Sequence, residues 1–77
     1  MMRLKLIRDM LTLLRVLDSQ QAKPIKDIAA EAGMQLRAGY RWMTVFEQEG
    51  LVENFDSAPA RFRLRPDGVR LKRSLKR

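Results

Sequence analysis

The stretch that decides the fold is residues 25–52, IKDIAAEAGMQLRAGYRWMTVFEQEGLV. Its apolar spacing predicts a short helix over 25–32 and a longer helix over 36–49. Gly33 lies between them, and glycine readily adopts the left-handed conformation that ends a helix. The segment therefore predicts two helices joined by a sharp turn.

The longer helix has two chemically different faces. If Trp42, Met43 and Phe46 face the core, the geometry of a helix turns the intervening polar side chains outward. The outward set is Arg37, Tyr40, Arg41 and Thr44. Basic and aromatic groups on an exposed helix face are typical of nucleic-acid binding, whereas a solvated helix face is the alternative.

Gly39 is unusual, because it falls on the inner face of this helix. Glycine in a helix interior costs about 1 kcal/mol relative to alanine. We expect Trp42 or Met43 to fill the volume that the missing side chain leaves. A flexible helix is the competing account.

Residues 3–18 predict the first helix, with an apolar arc about 180° wide where about 100° is usual. Two roles are open for this wide arc. The helix either runs through the centre of the core or presents its second apolar stripe to a partner subunit. Charged residues interrupt the apolar pattern throughout, so we expect no membrane span and a cytoplasmic location.

After Gly50 the apolar period changes to two, which predicts a β-hairpin over 51–65 with its turn at 56–60. Phe62 and Leu64 fall on one face of the second strand. Arginines at 61, 63 and 65 fall on the other. The segment 67–77 is predicted to be a basic helix or tail, whose Lys72, Arg73, Lys76 and Arg77 add diffuse attraction to phosphates.

Charge and composition narrow the function. Residues 61–77 hold eight of the sixteen basic residues but only one acidic residue, whereas residues 1–60 carry eight of each. Such a cationic part predicts a polyanionic partner. The chain has no cysteine and no histidine, which removes the common zinc ligands, the thiol nucleophile and the commonest general base. We therefore expect one domain over 1–77 that is not an enzyme and takes no metal, cofactor or small-molecule ligand.

Three segments resemble the winged helix-turn-helix domain of bacterial transcription regulators. The likeness is closest to the IclR type, with MarR- and PadR-type wings as relatives. DIAAEAG at 27–33 is similar to EIARRTG of that family, and FEQEGLVE at 46–53 to LEERGLVE. RLRPDGVRL at 63–71 is similar to RLTPEGRRL. The resemblance covers about residues 10–75.

The resemblance implies an α+β fold that is mainly α. It comprises three helices, a two-stranded β-hairpin wing and a short basic C-terminal helix or tail. The helix over 36–49 becomes the recognition helix, which enters the major groove of double-stranded DNA. Because one domain seldom binds a specific site tightly alone, we expect a homodimer through the N-terminal helix.

Arg37 and Arg41 are the expected base readers, since arginine can bind the two guanine acceptors in a bidentate fork. Wing arginines position a protein on the backbone more than they specify sequence. The supporting DNA contacts are expected from Gln35, Leu36, Tyr40 and Thr44 in the helix and from Arg61 and Arg63 in the wing. The alternative is a winged-helix module whose basic face binds RNA or an acidic protein.

Overall fold

The computed structural model describes residues 2–55 and 60–75, with side chains from position 4 onward. The architecture is the predicted α+β winged helix-turn-helix, mainly helical with a small antiparallel sheet. Along the chain the elements are α1 (Met2–Val16), β1 (Lys23–Pro24), α2 (Ile25–Ala32), α3 (Leu36–Gln48), β2 (Val52–Phe55), β3 (Arg61–Leu64) and α4 (Pro66–Ser74).

One hydrophobic core joins the helices to the inner face of the sheet. Apolar side chains from α1, α2 and α3 meet those of β2 and β3, and burying them supplies most of the driving force for folding. The buried core residues are Leu13, Leu14, Leu17, Ile25, Ile28, Met43, Phe46, Val52, Phe62 and Leu64.

The two halves of α1 lie in opposite environments. Leu13 and Leu14 are 0% and 2% exposed, whereas Leu4, Leu6 and Ile7 are 67%, 51% and 50% exposed. The C-terminal half is therefore the predicted core helix. The N-terminal half carries large apolar side chains that this chain leaves exposed. Buried and exposed apolar side chains are therefore separated along the length of the helix. The sequence suggests instead that they are separated around the helix, between its two apolar stripes.

Two lysine side chains bind the C-terminal end of α1, which stops at Val16, before the predicted 18. The Lys72 ammonium donates hydrogen bonds to the carbonyls of Leu17 at 2.8 Å and Arg15 at 3.3 Å. Lys23 donates to the carbonyl of Val16 at 2.9 Å. The last carbonyls of a helix lack partners within the helix and carry partial negative charge. The two lysines therefore supply hydrogen-bond donors to these carbonyls and offset the partial negative charge at the C-terminal end of α1.

The turn between α2 and α3 is built as the sequence predicts. Gly33 adopts the left-handed conformation, with φ 70°. Its N–H donates to the carbonyl of Ala30 at 3.1 Å, and the N–H of Met34 donates to the carbonyl of Ala29 at 3.0 Å. α3 then ends at Gln48, one residue before the predicted boundary.

Gly39 lies where α3 crosses α2, and the predicted reason for it is wrong. Atoms of Ala29 and Ile25 are nearest to the point where a Cβ of residue 39 would lie. Neither Trp42 nor Met43 fills that space. Glycine suits this position because the two helices approach closely here.

Within the described residues the sheet has three strands, one more than predicted. β3 is central and pairs antiparallel with β2 on one side and with β1 on the other. Val52 lies opposite Leu64, and Phe55 lies opposite Arg61. The sequence predicts a loop over 18–24, because a two-residue strand containing proline has no readable alternation.

The predicted turn of the hairpin and the predicted basic segment are described only in part. Residues 56–59 of the turn lie outside the described residues, and so do residues 76–77 of the basic segment. Ala60 accepts a hydrogen bond from the N–H of Ile25 at 3.0 Å, which joins the start of α2 to the hairpin. The basic segment is a helix, α4, that begins at Pro66 as the first helical residue.

Candidate nucleic-acid interface

The exposed face of α3 carries every recognition-helix residue that the sequence selects. Gly39, Met43 and Phe46 are its buried residues. The selected residues are all exposed: Gln35, Leu36, Arg37, Tyr40, Arg41 and Thr44. The helix period therefore separates a core face from a polar face.

The first turn of α3 is open to an anionic partner. Gln35 is the N-cap residue, yet its side chain makes no capping hydrogen bond, and the first turn contains no acidic residue. Helix N-termini attract phosphate groups because their first N–H groups lack partners and carry partial positive charge. Arg37 adds a full charge at the same end.

The Thr44 side chain already forms a hydrogen bond within α3. Its hydroxyl donates a hydrogen bond to the carbonyl of Tyr40 at 3.0 Å, one turn earlier. The hydroxyl oxygen can still accept a hydrogen bond, whereas donating to a phosphate requires breaking this internal bond.

Trp42 lies at the boundary between the core and the surface. Its ring centroid is 5.7 Å from that of Phe46, with the rings tilted by 59°. The indole is only partly buried, and its outer side faces α1. The prediction that Trp42 faces the core therefore holds for one side of the ring.

The wing separates apolar and basic side chains as predicted. Phe62 and Leu64 are buried at 4% exposure each. Arg61 and Arg65 are exposed. Alternation along β3 thus places one face of the hairpin in the core and turns arginines outward.

Arg63 differs from Arg61 because it is already bound within the wing. Its guanidinium nitrogen lies 2.9 Å from a carboxylate oxygen of Glu53 on β2. The guanidinium carbon also lies 4.9 Å from the centroid of the Phe55 ring. These contacts orient Arg63 and offset its charge. Strand pairing explains the arrangement, since Glu53 and Arg63 are directly opposite across β2 and β3.

Part of the basic charge of α4 is also used inside the chain. Arg70 pairs with Asp67 one turn earlier, and Lys72 binds the end of α1. Arg73 makes no ion pair with any residue that the structure describes. The basic residues of α4 are therefore not equivalent as candidate phosphate ligands.

A groove between the N-terminal half of α1 and α3 is the feature that the sequence does not predict. It has a volume of about 570 Å³, and its lining combines apolar and charged side chains: Lys5, Leu6, Asp9, Ala38, Arg41, Trp42 and Val45. The only sequence signal for it is the excess width of the apolar arc of the first helix. We call it the α1–α3 groove.

Two negative findings apply to the described part of the chain. Among residues 2–55 and 60–75, no group of three histidine, cysteine, aspartate or glutamate side chains is placed so that it could hold a metal ion. No helix in these ranges is long and apolar enough to cross a membrane.

These features define a winged-helix domain in which α3 has an exposed polar face. The chain belongs to the family described as the leucine-zipper of insertion element IS481, whose model matches residues 2–73. The name of that family refers to a helical zipper, whereas the fold here is a winged helix with a long first helix. None of the curated proteins compared with the chain matches it.

Two solved structures share the fold. The MarR family transcriptional regulator SPO1453 from Silicibacter pomeroyi DSS-3 superposes with a TM-score of 0.78 at 28% identity, over 88% of this chain and 50% of that one. The multiple antibiotic-resistance repressor MarR from Listeria monocytogenes 4b F2365 gives 0.76 at 17% identity, over 84% and 46%. The chain thus spans about half the length of each. Both are MarR proteins, so the closer likeness to the IclR type stays a prediction.

Proposed function

We propose that the chain binds double-stranded DNA sequence-specifically and acts as a transcriptional regulator. The observation that carries this proposal is the face of α3 on which Arg37, Tyr40 and Arg41 are exposed together. It lies opposite the buried face, in a fold shared with two transcriptional regulators. The family label, which names an insertion element and hence a segment of DNA, is consistent with a role at DNA.

Arg37 and Arg41 are proposed to read bases in the major groove. They lie one helical turn apart on the exposed face of α3, and an arginine can recognise guanine through two hydrogen bonds. Gln35 and Tyr40 support them through base or phosphate contacts. Leu36 is 46% exposed in the first turn, where an apolar side chain can contact a thymine methyl group.

The wing and the start of α3 are proposed to bind the phosphate backbone. Arg61 is the better wing ligand, because Arg63 is held by Glu53 and Phe55. Thr44 contributes to backbone binding only after exchanging its bond to the Tyr40 carbonyl. If about five phosphates are neutralised, log affinity should fall with log salt at a slope near −4 to −5.

The chain is also proposed to form a homodimer through the N-terminal half of α1. Three large apolar side chains are exposed there, Leu4, Leu6 and Ile7, and exposed apolar surface on one segment favours a protein interface. The zipper in the family's name is consistent with pairing of helices. A dimer would place two recognition helices on one DNA site and raise its affinity.

Selection from a pool of random DNA duplexes at two salt concentrations tests the proposal. We expect a motif to be enriched, and the Arg37→Ala and Arg41→Ala variants to lose preference at single positions by about 1–3 kcal/mol. Arg15→Ala is the matched control, since it removes the same charge from an exposed site in the C-terminal half of α1, outside the proposed dimer surface. Strong binding without any motif would instead indicate an architectural DNA binder.

One observation favours the alternative, in which the basic face binds RNA or an acidic protein. Leu36 is exposed beside the arginines, where an apolar side chain suits a protein surface. Competition separates the two functions. Single-stranded RNA that displaces duplex DNA at equal concentration, or duplex binding that is insensitive to salt, would favour the alternative.

A further inference from the structure

The α1–α3 groove has the composition of a binding site for a helix. Leu6 of α1 is 51% exposed and Val45 of α3 is 42% exposed. The partly buried Trp42 lies between the two helices, and the groove measures about 570 Å³. An exposed apolar surface that is bordered by charged groups is typical of a protein interface.

Three of the residues that line this groove are charged and lack ion-pair partners in the described part of the chain. They are Lys5, Asp9 and Arg41. Lys5 and Asp9 are four residues apart and therefore lie on the same side of α1, one turn from each other. The charge pattern along this side is positive, then negative.

We propose that the α1–α3 groove receives α1 of a second copy of this chain, with the two α1 helices antiparallel. This inference rests on the proposed self-association and specifies its geometry. Positions 5 and 9 are equally far from Ile7 along the helix. In an antiparallel pair whose two-fold axis passes at the level of residue 7, on the side of α1 that carries Lys5 and Asp9, each Lys5 therefore lies opposite Asp9 of the second copy.

The charges select this orientation over a parallel zipper. In a parallel pair in register, Lys5 would face Lys5 of the second copy, and Asp9 would face Asp9. Like charges across an interface are unfavourable, and arrangements that pair opposite charges fix orientation and register. Lys5 and Asp9 thus repel their equivalents in the parallel arrangement, whereas in the antiparallel arrangement each lies opposite a residue of opposite charge.

The groove also links self-association to the recognition helix. Arg41 and Trp42 belong to α3, so a helix bound in the groove contacts the side of α3 next to α1. Arg37 and Tyr40 do not line the groove and remain available to another partner. Of the two proposed base readers, only Arg41 has a changed environment when the chain self-associates.

Sedimentation equilibrium of the full chain without DNA tests the arrangement through a charge exchange. Lys5→Asp and Asp9→Lys each place like charges opposite each other at two symmetric positions, and we expect each to weaken association by about tenfold or more. The double variant restores both pairs in reversed order and should return association to within about threefold of the original. Circular dichroism checks that each variant keeps its helices.

Two further variants identify the surface. Leu6→Glu should abolish association, whereas Leu75→Glu, at an exposed leucine that follows α4 and does not line the groove, should change it little. Strong loss with Leu75→Glu, or a double charge variant no better than the singles, would overturn the antiparallel groove arrangement. So would an original chain that stays monomeric at high micromolar concentration.

Duplex binding by the same variants keeps the two proposals separate. A monomeric variant that still enriches a DNA motif leaves the DNA-binding proposal intact, whatever the sedimentation result. A dimer that enriches no motif and binds duplex weakly would remove the DNA-binding proposal and leave the groove arrangement standing.

Discussion

Gly39 of α3 packs directly against Ala29 of α2, and the helices approach so closely there that even a methyl group at position 39 would be tightly packed. A Cβ built on Gly39 would lie 3.1 Å from the Cβ of Ala29 and 3.6 Å from Cδ1 of Ile25. The first distance is shorter than ordinary contact between methyl groups. This contact sets how closely the recognition helix approaches α2 and hence how it is oriented on the domain.

Gly39→Val should destabilise the domain by roughly 1–3 kcal/mol, because the branched side chain overpacks this crossing. Urea unfolding followed by Trp42 fluorescence gives the free energy of unfolding. Gly39→Ala should be closer to neutral, since a gain of about 1 kcal/mol in helix propensity opposes the tight contact.

A double-mutant cycle with Ala29→Gly checks the cause. Removing the Ala29 methyl group makes room, so the double variant should lose less stability than the two single losses together. Additivity within about 0.5 kcal/mol would show that the two positions do not compete for the same space.

Gly68→Ala should be much more damaging than Gly39→Ala. A Cβ on Gly68 would lie 2.2 Å from the backbone oxygen of Leu51 and 2.9 Å from Cδ2 of Leu64. A backbone carbonyl cannot yield as a flexible side chain can, so we expect a loss of roughly 3 kcal/mol or more. Both substitutions replace a helical glycine by alanine, so their difference in urea unfolding isolates the steric effect. Equal effects would contradict the close approach of α4 to Leu51.

The face of the recognition helix can be predicted from sequence because it depends only on the helix period. Once Met43 and Phe46 are placed in the core, the 100° step per residue puts Arg37 and Tyr40 outside. Gly33 likewise identifies its turn through a local backbone preference. Such features need no knowledge of distant parts of the chain.

The features that the sequence does not reveal depend on contacts between distant segments. The hydrogen bond from Lys72 to the Leu17 carbonyl joins residues 55 positions apart, and nothing in either local sequence indicates it. The pairing of Lys23 in β1 with Phe62 in β3 is equally non-local. The α1–α3 groove exists only because α1 extends beyond the part of the domain that covers it.

Lys72→Met should lower stability without weakening DNA binding. The substitution keeps an unbranched side chain but leaves the carbonyls of Arg15 and Leu17 without their donor, at a cost of about 1 kcal/mol. Thermal unfolding measures the loss, and titration of duplex DNA at low salt measures affinity. Arg73→Met is the matched control on the same helix, expected to weaken DNA binding and leave stability nearly unchanged. The reverse pattern would assign Lys72 to the DNA surface.

The wing arginines should contribute unequally to DNA affinity. Arg61 is exposed, whereas Arg63 is 2.9 Å from Glu53 and lies over the Phe55 ring. Arg61→Gln should therefore reduce the magnitude of the salt slope by about 1, and Arg63→Gln should change it by clearly less. The slope is measured by titrating the selected duplex at several salt concentrations.

Glu53→Gln should strengthen DNA binding, because it frees the guanidinium of Arg63 and removes a negative charge from the wing. Glu49→Gln is the control, since it removes the same charge from an exposed site just after α3. A gain specific to Glu53 that disappears when Arg63→Gln is added would show that Glu53 restrains Arg63. Equal gains from both glutamates would mean that only total charge matters, because long-range attraction does not depend on which carboxylate is removed.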